Sequence, residues 1–189
     1  GGYVETSSAA DLAIGTGTVN TLAPNGQVGT WLLDPNDITI QAAGSDTTVT
    51  GRPHLTPPDD SAIVTTSSIL TSLHAGTSVT ITTSSNGTNS QLGNITVADN
   101  INKTAGGAAN LTLNAANNIA ITTDLSISST SPQLNVALNA NTASSGSITM
   151  GTGSSISTNG GVLSLNAKGS MTLGALTATG STNDITINN

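Results

Sequence analysis

The sequence predicts an all-β fold, a right-handed parallel β-helix (a solenoid) with about 20–27 residues in each coil. Three observations predict it. Apolar residues come in short alternating pairs, turn-forming residues separate the pairs, and the pattern recurs at about the length of one coil. The 189 residues are predicted to form a single β-helix segment, 1–189.

The alternating pairs predict the strands. Successive side chains of a strand point to opposite faces, so two apolar residues around a polar or small one give a short strand with one buried face. Gly, Asn and Ser between the pairs favour turns. From residue 79 onward the pairs are Val79/Ile81, Ile95/Val97, Leu111/Leu113, Ile119/Ile121, Leu125/Ile127, Leu134/Val136, Ile148/Met150, Leu163/Leu165, Met171/Leu173 and Ile185/Ile187.

Recurrence predicts how the strands stack. Leu-Asn-Ala occurs at 113–115, 138–140 and 165–167, and Leu125, Ile148 and Met171 follow one another at steps of 23 residues. Three short strands and three turns fill one such period, and crossovers between parallel strands are right-handed in almost all cases. At about 23 residues a coil we expect about eight coils in a rod about 40 Å long. An antiparallel sandwich is the alternative, but regular hairpin signals are missing.

The first part of the chain is less regular. Residues 1–43 are predicted to form the first coils, 44–78 an irregular insertion, and 79–189 the regular coils. A Pro-rich stretch at 44–62 predicts a loop excursion, because proline interrupts strand pairing. Ile69, Leu70 and Leu73 predict either one helical turn or a short strand.

Composition excludes several classes of protein. Charged residues are only 7% and the net charge is −7, which argues against a nucleic-acid partner. The absence of Cys excludes disulfide scaffolds and thiolate metal sites. No apolar stretch approaches a membrane span, and 35% hydrophobic residues with a mean hydropathy of +0.06 argue against disorder. With no initiator Met and no leader, the chain is interpreted as a mature or excised segment.

Enzymatic activity is not predicted. Parallel β-helices house polysaccharide lyases and hydrolases, which need clustered carboxylates or basic residues. Beyond residue 65 the acids are Asp99, Asp124 and Asp184. Asp99 and Asp124 could stack on adjacent coils, but a third partner is missing. We therefore predict no catalytic residue and no cofactor.

A metal site is also not predicted. The candidates could supply oxygen and imidazole ligands, yet their spacing matches no known metal-binding loop. The candidates are Asp34, Asp37, Asp59, Asp60, His54 and His74. The favoured interpretation of the aspartates is structural: Asp34 and Asp37 cap turns, and Asp59 and Asp60 follow a proline turn.

Two groups of residues are candidates for surface roles. Trp31 is a candidate surface contact that could stack on a sugar, although packing over one side of the solenoid beside Leu33 is the favoured interpretation. Four Asn-x-Thr sequons, eight residues apart, are candidate glycosylation sites. A chain this rich in Asn, Ser and Thr also produces such sequons by chance, and the step matches one strand plus one turn. The four are Asn86, Asn94, Asn102 and Asn110.

Three stretches resemble a known family. The runs at 2–7 and 29–40, with Trp31-Leu-Leu-Asp-Pro, and the run at 73–83 resemble filamentous-haemagglutinin-type exoproteins, which Gram-negative bacteria export by two-partner secretion. The resemblance implies a secreted, rod-like shaft that acts in adhesion or as a stalk, with an outer-membrane transporter as its export partner. The family's amino-terminal secretion domain is not visible, so an interior portion is implied.

The predicted function is that of a non-enzymatic, secreted structural or adhesive shaft at the bacterial surface, without membrane insertion. Its partners would be cell-surface or matrix glycans and proteins. One alternative is a fibre subunit that stacks head to tail through open solenoid ends, and another is the stalk of a contact-dependent toxin delivery protein. Ice binding is disfavoured, because Thr-x-Thr pairs such as Thr80/Thr82 do not recur at the coil period.

Overall fold

The fold is a parallel β-solenoid built from three sheets. The computed structural model describes residues 2–7, 19–21, 29–34, 37–42, 61–83, 85, 91–130, 132–140, 145–179 and 184–189. In chain order the elements are β1 (Tyr3–Ser7), β2 (Thr30–Asp34), β3 (Asp37–Gln41), β4 (Ser61–Thr65), α1 (Thr66–His74), β5 (Ser78–Thr82), β6 (Ile95–Val97), β7 (Ile101–Lys103), β8 (Ala109–Ala115), β9 (Ile119–Ile121), β10 (Ser126–Ser129), β11 (Leu134–Ala140), β12 (Ile148–Met150), β13 (Ser155–Ser157), β14 (Leu163–Ala167), β15 (Met171–Thr172), β16 (Ala175–Thr177) and β17 (Ile185–Asn188).

Each side of the solenoid is one sheet. Sheet A has seven strands in the order β1-β2-β5-β8-β11-β14-β17, sheet B has six in the order β15-β12-β9-β6-β3-β4, and sheet C has four in the order β16-β13-β10-β7. The described pairings are all parallel. The predicted parallel β-helix is therefore confirmed, and the antiparallel sandwich is wrong.

The core consists of apolar columns that run through successive coils. In sheet A, Leu113, Leu138 and Leu165 are direct neighbours on three strands and have no exposed surface. Stacking like side chains on parallel strands buries them without large aromatic groups, in agreement with a chain that has no Phe. Each coil is thus stabilised by its neighbours.

The predicted repeat is correct in one sheet and partly wrong in another. The three Leu-Asn-Ala motifs align in sheet A, as predicted. Leu125, Ile148 and Met171 were predicted to stack on one another. Ile148 does pair with Met171 in sheet B, but its neighbour on the other side is Ile119. Leu125 lies on a different side of the solenoid, just before β10 of sheet C. The step from Leu125 to Ile148 therefore compares two sides of one solenoid. The step from Val79 to Leu111 on neighbouring strands of sheet A is 32 residues (111 − 79), longer than the predicted 20–27. Among the described residues the longest sheet has seven strands, whereas eight coils would give eight.

The region before β5 departs from simple winding. Residues 43–60, including most of the predicted Pro-rich excursion at 44–62, lie outside the described residues. Ser61 and Ala62 already belong to β4, which pairs with β3 on the side away from β6. The chain therefore returns towards the amino-terminal end of sheet B before it continues.

Helix α1 follows and packs against β4, β5, β7 and β8. Of the two structures predicted for 69–73, the helix is correct, and it is nine residues long. Its N-cap is Thr65, whose Oγ1 accepts a hydrogen bond from the Ser68 N–H at 3.3 Å. Ile69 and Leu73, four residues apart, lie on its buried face. Among the described residues, no helix is long and apolar enough to cross a membrane.

Candidate functional site

A shallow groove lies on the outer face of sheet B. Its volume is about 360 Å³, and it crosses strands β3, β6 and β9. The side chains at its edge belong to a recurring motif, an Asp or Asn directly before an Ile-x-Ile or Ile-x-Val strand. The lining residues are Asp37, Ile38, Thr39, Asn94, Ile95, Thr96, Asn118 and Ala120.

Asp37 anchors the neighbouring coil at one end of the groove. Its Oδ1 accepts hydrogen bonds from the backbone N–H groups of Gly93 and Asn94 at 2.8 and 2.6 Å. Its Oδ2 accepts only a longer bond of 3.3 Å, from the side-chain amide of Asn94. The interpretation of Asp37 as a capping residue is therefore correct, with the difference that it caps the next coil and not its own turn.

The same arrangement repeats along the edge of the groove. The Oδ1 atom of Asn94 accepts from the backbone N–H of Asn118 at 3.2 Å and from the side chain of Asn117 at 2.9 Å. The Oδ1 atom of Asn118 accepts from the backbone N–H of Ser147 at 2.9 Å. We call this series the Asx edge; each member holds the backbone of the following coil.

A column of outward side chains forms the face beside the Asx edge. The register of sheet B aligns one residue from each strand, and hydroxyl groups dominate. The one alanine in the series, Ala120, lines the groove. Its small side chain leaves space that a threonine would occupy. In spatial order the column is Ile63, Thr39, Thr96, Ala120, Thr149 and Thr172.

Sheet A has a different outer surface. The asparagines of the Leu-Asn-Ala motifs and Asn188 of β17 form a ladder in which the Nδ2 of Asn139, Asn166 and Asn188 donates to the Oδ1 of the asparagine on the preceding coil. The distances are 2.8 Å from Asn139 to Asn114, 2.7 Å from Asn166 to Asn139 and 2.7 Å from Asn188 to Asn166. These amides therefore use their hydrogen-bonding groups on one another.

The candidate glycosylation sites fall in three environments. Asn94 uses both ends of its amide in the Asx edge. Asn102 and Asn110 are exposed; Asn102 Oδ1 accepts from Ser126 and Ser128 hydroxyls at 2.9 and 2.8 Å, and Asn110 Oδ1 from Asn135 at 2.7 Å. Asn86 lies outside the described residues. Glycosylation at the four asparagines stays a prediction.

Trp31 is not on the surface. It is 0% exposed and lies in the interior of sheet A between Val4 of β1 and Val79 of β5. The hypothesis of a surface contact at Trp31 is corrected accordingly. Packing in the core is the observed environment.

The acidic and basic candidates do not converge on one site. Asp99 lies between β6 and β7, and Asp124 lies in the corresponding turn between β9 and β10. His74, at the end of α1, accepts a hydrogen bond through Nε2 from the Thr104 N–H at 3.1 Å, far along the chain from the Asx edge. Among the described residues no three His, Cys, Asp or Glu side chains are grouped as metal ligands would be. The side chain of Asp34 and residues His54, Asp59 and Asp60 lie outside the described part.

Sequence analysis missed one buried basic residue. Lys103 points into the solenoid and has no exposed surface; its Nζ donates to the backbone oxygen of Ala105 at 2.7 Å. Burial lowers the pKa of this ammonium group, because desolvation disfavours the charged form. No signal at that position distinguishes it from a lysine on the surface.

Comparison with known proteins adds no relative: no protein-family model matches the chain, and no curated protein matches it.

Proposed function

We propose that this chain is a non-enzymatic structural and adhesive shaft, a secreted, surface-exposed portion of a filamentous-haemagglutinin-type exoprotein. The resemblance at 2–7, 29–40 and 73–83 supports the family. Its partners would be cell-surface or matrix glycans and proteins, and an outer-membrane transporter would export it.

The observation that supports a shaft is that columns of side chains continue through successive coils. In sheet A the inward residues Val79, Leu111, Val136 and Leu163 are neighbours on four successive strands and are almost completely buried. Outside them the asparagine ladder links Asn114 to Asn188. An uninterrupted apolar column on the inner side of sheet A and a hydrogen-bonded ladder on its outer side give a stiff body.

A stiff body supports adhesion by repetition. Polar faces that recur on each coil are held at a fixed spacing, so several weak contacts can form at the same time. Once the first contact forms, the next is intramolecular and benefits from a high effective concentration. Adhesion could then be firm although each individual contact is weak.

Two measurements on the purified chain test this proposal. Negative-stain electron microscopy should show short rods, and beads coated with the chain should adhere to host cells or matrix glycoproteins more than beads coated with a globular protein of similar charge. Compact globules would overturn the shaft. Rods without adhesion above the control would overturn the adhesive role and leave a stalk, such as that of a toxin delivery protein.

A second candidate function is a fibre subunit, which the exposed apolar residues of the outermost strands of sheet A favour. Tyr3 and Val4 on β1 are 62% and 37% exposed, and Ile185 and Ile187 on β17 are 41% and 48% exposed. Val4 and Ile185 continue the same interior column in opposite directions, through Trp31, Val79, Leu111, Val136 and Leu163.

A second copy could therefore place β1 on β17, with Val4 next to Ile185. Sedimentation velocity over a wide concentration range tests this, with Ile187→Lys as the blocking variant and Val162→Lys as an exposed apolar control away from the edge strand. Growing species that only Ile187→Lys abolishes would support the fibre. A strictly monomeric wild type would exclude it.

A further inference from the structure

We propose that the groove beside the Asx edge binds a neutral polysaccharide that lies across the coils of sheet B. This proposal rests on the adhesive role proposed above and assigns it a location and a ligand class. It is carried by the shape of the groove, the free polar groups in it, and its charge.

The shape suits an extended ligand. The groove crosses three neighbouring strands, β3, β6 and β9, which are spaced by about 4.8 Å in any parallel sheet. Its lining comes from successive coils, and Ala120 is the small apolar residue among the outward-facing side chains of that lining. A chain of sugar rings can place the C–H face of one ring on this alanine and its hydroxyl groups on the rim.

The polar groups in the groove are available. The hydroxyls of Thr39 and Thr96 and the Nδ2 of Asn118 make no hydrogen bond to another described residue, and all three residues are partly or fully exposed. Oδ2 of Asp37 accepts only the 3.3 Å bond from Asn94. Together they offer donors and acceptors to sugar hydroxyls on successive coils.

The asparagines that line up on the other two faces are less suited to the same task. On sheet A the ladder asparagines bond one another, with distances of 2.7–2.8 Å from Asn114 to Asn188. On sheet C, Asn102 accepts from Ser126 and Ser128. A ligand there would have to replace hydrogen bonds that hold the coils together.

Charge selects a neutral ligand. Asp37 is the charged residue in the lining, and the whole chain carries a net charge of −7. A sulfated or uronic polysaccharide would bring further negative charge to that carboxylate without a cation in the groove to offset it. A neutral chain avoids this repulsion and can donate hydroxyl hydrogens to Asp37.

The groove is also held rigid before any ligand arrives. The Asx edge pins the backbone of each coil through the bonds from Gly93 and Asn94 to Asp37, from Asn118 to Asn94, and from Ser147 to Asn118. Binding would therefore order few protein groups, which lowers its entropic cost.

Affinity electrophoresis of the whole chain in gels containing dextran, mannan or galactan, with dextran sulfate as the charged counterpart, tests the proposal. Ala120→Ile fills the groove with a side chain that the same column already accepts at Ile63, and Thr149→Ile is the matched control one strand beyond it. Thr96→Val removes one hydroxyl with little change in shape. Circular dichroism checks the folding of each variant.

We expect at least one neutral polysaccharide to retard the wild type and Thr149→Ile equally, and Ala120→Ile about tenfold more weakly, a loss of about 1.4 kcal/mol. Thr96→Val should show a smaller loss, and dextran sulfate should not bind. The proposal is overturned if none of the neutral polysaccharides binds, if Ala120→Ile and Thr96→Val bind as the wild type does, or if dextran sulfate binds best.

The bead assay separates this proposal from the one on which it rests. If coated beads adhere and Ala120→Ile leaves their adhesion unchanged, the groove proposal fails while the adhesive shaft stands. If wild-type beads do not adhere, the adhesive role itself fails.

Discussion

The coils from β8 to β16 and the region from β1 to α1 share one apolar interior, but they differ in the order in which their strands pair. From β8 onward each strand pairs with the strand that occupies the same side one coil later. Before β5 this order is lost, because β4 turns back to the far side of β3 and α1 follows it. The solenoid therefore requires continuous apolar columns and parallel pairing. It does not require each strand to pair with the strand one coil later.

The helix can lie where a strand of sheet C would otherwise lie, because that side of the solenoid needs few apolar residues to fill the interior. Each strand of sheet C contributes one large apolar residue to the interior, such as Ile101 in β7 or Ile156 in β13. The buried face of α1, with Ile69 and Leu73, packs against β7 and continues this apolar side. A side with two inward apolar residues per strand would fit a helix less well.

The largest effect is expected from shortening a side chain in the regular coils. Leu138→Ala should lower the free energy of unfolding by about 2–5 kcal/mol, because it leaves a cavity between Leu113 and Leu165. Leu176→Ala is the matched variant, since Leu176 is only partly buried against the core. Urea denaturation should show the larger loss for Leu138→Ala; equal losses would mean that the columns do not carry the stability.

Next in size is a change at the contact between α1 and the coils. Gly106 has φ +82°, and a Cβ added there would meet the backbone oxygen of His74. Gly106→Ala should therefore lose about 1–3 kcal/mol from backbone strain, besides the displacement of the helix end. At Gly107 an added Cβ has only one neighbour, 3.9 Å away.

Gly107→Ala is thus the control, and we expect it to be nearly neutral. Thermal unfolding followed by circular dichroism at 222 nm compares the two. If both variants unfold together with the wild type, the packing of the 104–108 turn on α1 does not matter for stability.

A smaller effect is expected in the asparagine ladder. Asn139 donates to Asn114 and accepts from Asn166, so Asn139→Ala removes two hydrogen bonds and should cost about 1–3 kcal/mol. Asn188→Ala removes one bond at the exposed end of the ladder and should cost less than about 1 kcal/mol. Guanidinium denaturation midpoints distinguish the two variants. A larger loss of stability for Asn188→Ala than for Asn139→Ala would contradict the expectation that each hydrogen bond of the ladder adds to stability.

The smallest effect concerns the pH dependence of stability. Burial lowers the pKa of Lys103 in the folded chain, so between that pKa and the ordinary pKa of lysine the unfolded chain binds more protons. Stability should therefore rise with pH across this window. Lys103→Met should lose that rise and should not be less stable than the wild type at neutral pH. Parallel slopes for both proteins in alkaline denaturation series would refute the assignment.

The sequence pattern found most strands of sheets A and B, whereas in sheet C it found only β10, through Ile127 of the Leu125/Ile127 pair. A strand such as β11 shows its buried face through two inward apolar residues, Leu134 and Val136. In β7 and β10 the second inward position is Lys103 or Ser129, so the alternation disappears. A pattern method that needs two apolar residues therefore misses most strands on the third side of the solenoid.

The groove was missed for a different reason. Its residues are Thr, Asn, Asp and Ala, which are common throughout the chain, and Asp37 alone suggested only a capped turn. The recurring Asx-Ile motif at Asp37, Asn94 and Asn118 was a usable signal. It predicts an edge of capping residues, but it does not predict a groove beside them.

The sequence by itself determined that the chain is a stack of short parallel strands, because alternating apolar pairs and the Leu-Asn-Ala repeat are local features that can be counted. Only the tertiary structure decided which pairs share a side of the solenoid, where β4 turns back, and how Ala120 leaves a gap among threonines. These depend on the lengths of the turns and on contacts between residues far apart in the chain. Such contacts are settled by packing and leave no periodic trace in the sequence.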